Sequence, residues 1–176
     1  MSKKWGYLNK LCSYANADIF LKLYKSYLLS LLEYANLCWI PNNTQISEIE
    51  SVQRQITKFI CYKKGLTNLT YQQRLEILGI ESLKLRRETK ILLTVFKCIH
   101  SFNDVPDLWK DIFIVKNTRN GLLLNIPNIR FKFSDKNFFI NAMKLFNSLP
   151  ITIRNETKLS TFKQNVKKFL SENISF

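Results

Sequence analysis

The sequence predicts a mainly α protein: a helical bundle over residues 1–102, then a smaller α extension over 103–176 that carries a short β ribbon. Three observations predict it. Across most of the chain, apolar residues return every three or four positions, the spacing of one helix face. Gly and Pro number four each in 176 residues, too few for the many turns of a β barrel or sandwich. One stretch alone has the period of a strand, Ile129, Phe131 and Phe133 alternating with Arg130 and Lys132. With 46% hydrophobic and 23% charged residues the chain is no disordered tail, and it is long enough to bury a core.

The first helix is expected over 19–38. Phe20, Leu23, Tyr24, Tyr27, Leu28, Leu31, Tyr34, Ala35 and Cys38 cover most of its circumference, leaving a narrow polar arc at Lys22, Lys25, Ser26, Glu33 and Asn36. Such a helix is largely enclosed, and Pro41-Asn42-Asn43 ends it. A second helix, 45–63, turns Ile46, Ile49, Val52, Ile56, Phe59 and Ile60 inward, with Arg54, Lys58 and Lys63 outside. Thr70 is placed to cap a short helix over Tyr71–Leu78, and Gly79 to stop it in the left-handed conformation. A longer helix over 81–102 sets Ile91, Val95, Cys98, Ile99 and Phe102 inward and a stripe of Arg86, Lys90 and Lys97 on the opposite face. The longer helices are expected to pack through Tyr27, Leu31, Ile56, Phe59, Val95 and Ile99.

Beyond Asn103 the composition changes. Asp104, Asp107 and Asp111 flank Pro106 and read as a loop, and a small sheet is expected around 122–133. Ser134 or Asp135 is placed to cap a helix ending at Ser148, with Phe139, Ala142, Met143 and Phe146 inward. Ser160 is the expected cap of the last helix, lined by Leu159, Phe162, Val166, Phe169 and Leu170.

Charge narrows the function. Lys and Arg outnumber Asp and Glu 27 to 13, a net charge of +14, which favours a polyanionic partner. No stretch combines a dense Lys/Arg face with an exposed Trp/Phe face, so nucleic acid is expected and a membrane is not. The stretch Met1–Lys10 has charge without a following apolar region, which points to an intracellular protein. The four cysteines form no CxxC pair and His100 is the single histidine, so neither a metal site nor a cofactor is expected. Basic residues on helix faces mark the candidate phosphate contacts: Arg54, Lys58, Arg86, Arg87, Lys90 and Lys97 on one surface, and Lys163, Lys167 and Lys168 on a second. Arg87 projects about 100° away from Arg86 and is equally suited to pairing with a carboxylate.

The order of landmarks resembles a known family. Leu23-Tyr24-Lys25-Ser26-Tyr27 precedes Leu32-Glu33-Tyr34-Ala35 and Trp39-Ile40-Pro41. Ile49-Glu50-Ser51-Val52-Gln53-Arg54 follows, then Tyr71-Gln72-Gln73-Arg74-Leu75 with Leu78, and Leu83-Lys84-Leu85-Arg86-Arg87. Phe146-Asn147-Ser148-Leu149-Pro150 and Ser160-Thr161-Phe162-Lys163 complete the series. Over residues 8–170 this succession is similar to the C-terminal part of LINE-type, jockey-like non-LTR retrotransposon reverse transcriptases, downstream of the palm. Phe146 departs from the family's usual Trp, keeping apolar bulk without the indole N–H.

The resemblance implies a thumb-like helical bundle that grips RNA or an RNA/DNA duplex, followed by a region credited with RNA binding. It also implies a palm domain as a partner. The catalytic chemistry is missing, because polymerisation needs two metal ions held by paired aspartates. Asp18, Asp104, Asp107, Asp111 and Asp135 include no adjacent pair. The expectation is a non-enzymatic nucleic-acid-binding fragment of an RNA-directed DNA polymerase. The alternative is an interaction module that docks on a separate palm or another protein.

Overall fold

The computed structural model describes residues 16–34, 41–119, 121–127 and 137–173. Within them the protein is mainly helical with one two-stranded antiparallel ribbon, the expected class. It forms two compact units, and the division falls between Lys84 and Leu85 rather than after residue 102. The reason lies in one helix, Leu83–Ile99. Leu83 belongs to the core of the first unit, whereas Leu92, Val95, Phe96 and Cys98 belong to the core of the second. Val95 and Ile99 therefore serve one core while Ile56 and Phe59 serve the other, and the expected packing among these four is corrected.

In the first unit, α1 spans Ala17–Leu23, capped by Asn16, whose side chain accepts from the Ile19 N–H at 2.9 Å. A π turn over Tyr24–Leu28 joins it to α2, Leu29–Leu32. The Leu29 N–H reaches back to the Tyr24 carbonyl, one residue further than in an α-helix, and the apolar register shifts accordingly. Phe20, Tyr24, Leu28, Leu29 and Leu32 are buried, but Tyr27 is 46% exposed and Leu31 is only half-buried. The helix gives way to a turn at Glu33 and Tyr34, and the rest of the expected 19–38 span lies outside the described residues.

The next helix, α3, runs over Asn43–Lys63. Asn42 starts it through a reciprocal capping box with Gln45, so the residue expected to end one helix begins the next. Thr70 and Gln73 form the same box at the start of α4, Tyr71–Leu78, and Gly79 closes that helix at φ +58°. Lys25 Nζ donates to the Leu78 carbonyl at 3.2 Å, a cation on the negative end of the α4 dipole. The core between these elements is filled by Ile56 and Ile60, both fully buried, with Phe20 edge-on to Phe59.

The second unit contains most of α5, Leu83–Ile99, then α6, Asp107–Ile112, β1, Val115–Thr118, and β2, Gly121–Leu124. It ends with α7, Phe138–Asn147, α8, Ile151–Arg154, and α9, Leu159–Asn173. The helical turn α6 occupies the segment expected as a loop. The ribbon pairs Val115 with Leu124 and Thr118 with Gly121. The strand expected at Ile129–Phe133 lies outside the described residues, as do the proposed caps Ser134 and Asp135. Asn137 caps α7 instead, accepting from the Phe139 and Ile140 N–H groups. Because α9 begins at Leu159, Ser160 sits inside its first turn rather than capping it.

Three buried rings organise the second core: Phe162 stacks on Phe96 at 4.4 Å and lies 6.4 Å from Phe146. The Phe146-Asn147 step then has a structural role. Phe146 fills the core, while Asn147 both accepts from the Leu124 N–H and donates to the Leu124 carbonyl, each at 2.9 Å. Asn155 accepts from the Leu122 N–H, and Arg154 donates to the Leu122 carbonyl at 2.8 Å. Side chains thus stand where a third strand would pair, and that edge of β2 is closed.

Candidate nucleic-acid interface

In the first unit the structure brings together residues from four of the motifs quoted above. The Tyr24 hydroxyl donates to Gln53 Oε1 at 2.5 Å, and Gln53 Nε2 donates to the Glu81 carbonyl at 3.0 Å. The Tyr71 hydroxyl donates to Glu50 Oε1, which also accepts from the Leu83 N–H at 3.3 Å. Glu50 and Gln53 lie one turn apart on the inner side of α3, and both are buried. Polar groups removed from water need such partners, so the network fixes how α1, α3 and α4 approach one another. Burial and the hydrogen bond to Glu50 push the Tyr71 phenol well above the usual tyrosine range.

Tyr71 in turn positions two cations. The Arg54 guanidinium lies 5.1 Å from its ring centroid and that of Arg74 lies 5.7 Å from it. Arg74 is further held by donating from Nη1 to the Leu69 carbonyl at 2.8 Å. Arg54, Lys58 and Tyr62 follow at intervals of four on α3, which places them along one ridge of the helix. All three are exposed, Tyr62 at 71%.

Beside this ridge is an open groove of about 540 Å³, lined by Lys58, Tyr62, Arg74 and the loop Leu66–Leu69. The loop is shaped by the end of α3. Gly65 takes φ +72°, and the N–H groups of Gly65 and Leu66 donate to the Tyr62 and Cys61 carbonyls. The site thus combines an exposed aromatic side chain, Tyr62, with the exposed cation Lys58 and the held cation Arg74.

The remaining candidates belong to the second unit and are not equivalent. On α5, Lys90 is exposed, whereas Arg86 and Arg87 are half-buried. Burial pulls the Arg87 guanidinium below its usual range. Lys97 is committed to an ion pair with Asp104, whose carboxyl it holds below the ordinary range, first through a hydrogen bond. The expected exposed stripe of Arg86, Lys90 and Lys97 is corrected on this point: Arg86 is half-buried and Lys97 is paired, because the chain turns at Ser101 and brings Asp104 back to Lys97. On α9, Lys163 and Lys168 are exposed and Lys167 is half-buried.

Tyr62 and Arg74 line the groove without being among the candidates drawn from the sequence. The signal for Tyr62 was present, since it continues the Arg54–Lys58 interval; Arg74 stood in the sequence only as part of a motif.

Other titratable groups have structural surroundings. Asp107 pairs with Lys110 at 2.7 Å, and Asp18 with Lys64 at 2.8 Å. Cys61 and Cys98 are buried thiols that burial pushes up, which suits inert core residues. His100 follows the end of α5 with its ring 4.2 Å from Phe96. Among the described residues no three His, Cys, Asp or Glu side chains converge as a metal site, and no helix is long and apolar enough to cross a membrane. No protein-family model, curated protein or solved structure matches the chain.

Proposed function

We propose that the chain is a non-catalytic nucleic-acid-binding fragment that grips RNA or an RNA/DNA duplex through its phosphates inside the cell. This is the role implied by its resemblance to the thumb and following region of a LINE-type reverse transcriptase. The observation that carries the reading is the Arg54–Lys58 ridge, an exposed pair of cations backed by the Tyr71–Glu50 network and flanked by Arg74. Lys90, Lys163 and Lys168 add exposed charge in the second unit. Contacts of this kind position a duplex by its backbone without reading bases.

The test is the salt dependence of binding. Each neutralised phosphate releases condensed counterions, so log affinity falls linearly with log salt. Arg54→Gln with Lys58→Gln should make that slope shallower by about two, while stability falls by only about 1 kcal/mol or less, the loss of the Arg54 contact with the Tyr71 ring. An unchanged slope in a folded variant would move the site away from α3. Wild-type protein that binds no nucleic acid at low salt would instead favour a module docking on a palm domain or another protein.

A further inference from the structure

Phosphate contact explains Arg54 and Lys58 but not the aromatic ring that continues their ridge. Tyr62 is 71% exposed, although the same helix buries Ile56 and Ile60 completely. It is therefore no part of the core, and it lines the groove together with Lys58, Arg74 and the loop through Asn68. At about 540 Å³ the groove lies within the size range of small-molecule sites, about 300–1,000 Å³, and is roomy enough for a nucleobase. A flat π surface sharing one groove with two cations matches the repeating unit of a single strand, a base flanked by phosphates. A base inside a duplex is already stacked on both faces and cannot offer itself to such a surface. Asn68 adds an amide at the groove, with both donor and acceptor for a base edge.

We infer that this groove seats one unpaired base of a single-stranded segment, with Tyr62 as the stacking platform and Lys58 and Arg74 on the adjoining phosphates. The inference rests on the phosphate-binding reading above and adds a preference for single-stranded over fully paired nucleic acid at this position. Stacking is tolerant of base identity, so the seat recognises strandedness rather than sequence.

The experiment uses the whole chain, a short single-stranded oligonucleotide containing the fluorescent adenine analogue 2-aminopurine, and a blunt duplex of the same length. Wild-type protein should change the analogue's fluorescence as it stacks. Tyr62→Ala should abolish that change and weaken single-strand binding about tenfold, while Tyr62→Phe, which keeps the ring, should restore both. Duplex affinity should fall less than single-strand affinity, so that the ratio of the two drops, because the charged contacts remain. If Tyr62→Ala leaves single-strand affinity unchanged, or weakens duplex and single strand equally, the base seat is refuted while phosphate binding stands. If the wild-type chain binds neither polyanion but retains an acidic peptide, both readings fall and the groove is a protein-docking site.

Discussion

At the scale of single residues, Tyr71 joins the buried network to the cations at the surface. Its hydroxyl serves a buried carboxylate and its ring carries two arginines. The Tyr71-Gln72-Gln73-Arg74 motif was visible in the sequence, as was Ile49-Glu50-Ser51-Val52-Gln53-Arg54. That Tyr71 would meet a carboxylate twenty-one positions earlier was not, because nothing local encodes a partner at that separation. Tyr71→Phe should cost about 1–3 kcal/mol, since Glu50 loses its phenolic donor and keeps the weaker Leu83 N–H. The effect has a pH signature. The folded-state phenol titrates above its unfolded value, so its contribution is complete below about pH 10 and is lost as pH rises further. Denaturant titrations should therefore show a shallower alkaline decline of stability in Tyr71→Phe than in the wild type. An identical decline would remove Tyr71 from that role.

At the scale of elements, local chemistry was the most readable layer. The α4 helix has the bounds, the Thr70 cap and the Gly79 stop that its residues predicted, because each of those signals acts within a few positions. The start of α3 was misjudged because Asn42 serves equally well as a stop and as a cap. The π turn at Tyr24–Leu28 left no pattern distinct from a regular helix, so Tyr27 was placed inside when it is half-exposed. The end of α5 carries a further consequence. The N–H groups of Ser101 and Phe102 donate to the Cys98 and Lys97 carbonyls, the bonding that usually ends on glycine, yet Ser101 takes φ +54°. A left-handed non-glycine residue costs about 1–2 kcal/mol, against about 0.4–1 kcal/mol of added unfolded-state entropy for glycine. Ser101→Gly should therefore stabilise the protein by about 0.5 kcal/mol, read from the denaturant midpoint; a destabilised variant would contradict the balance.

At the scale of the whole molecule, the class was legible and the division was not. The 3.6-residue pattern of α5 shows that one face is buried but not which core receives it, and α5 begins in one core and continues in another. Charge behaves similarly. The +14 excess is plain from composition, but only the folded chain separates exposed Lys90 from Lys97, which already holds Asp104. What remains as the proposed interface is a buttressed ridge on α3 with its groove, and exposed lysines on α5 and α9. The most direct test is to titrate salt against the affinity of the wild-type chain for a short RNA and an RNA/DNA hybrid. Tight binding at low salt that weakens linearly on the log–log scale, with a slope corresponding to several phosphates and little dependence on sequence, is the predicted result. Absence of binding at low salt, or affinity indifferent to salt, would contradict it.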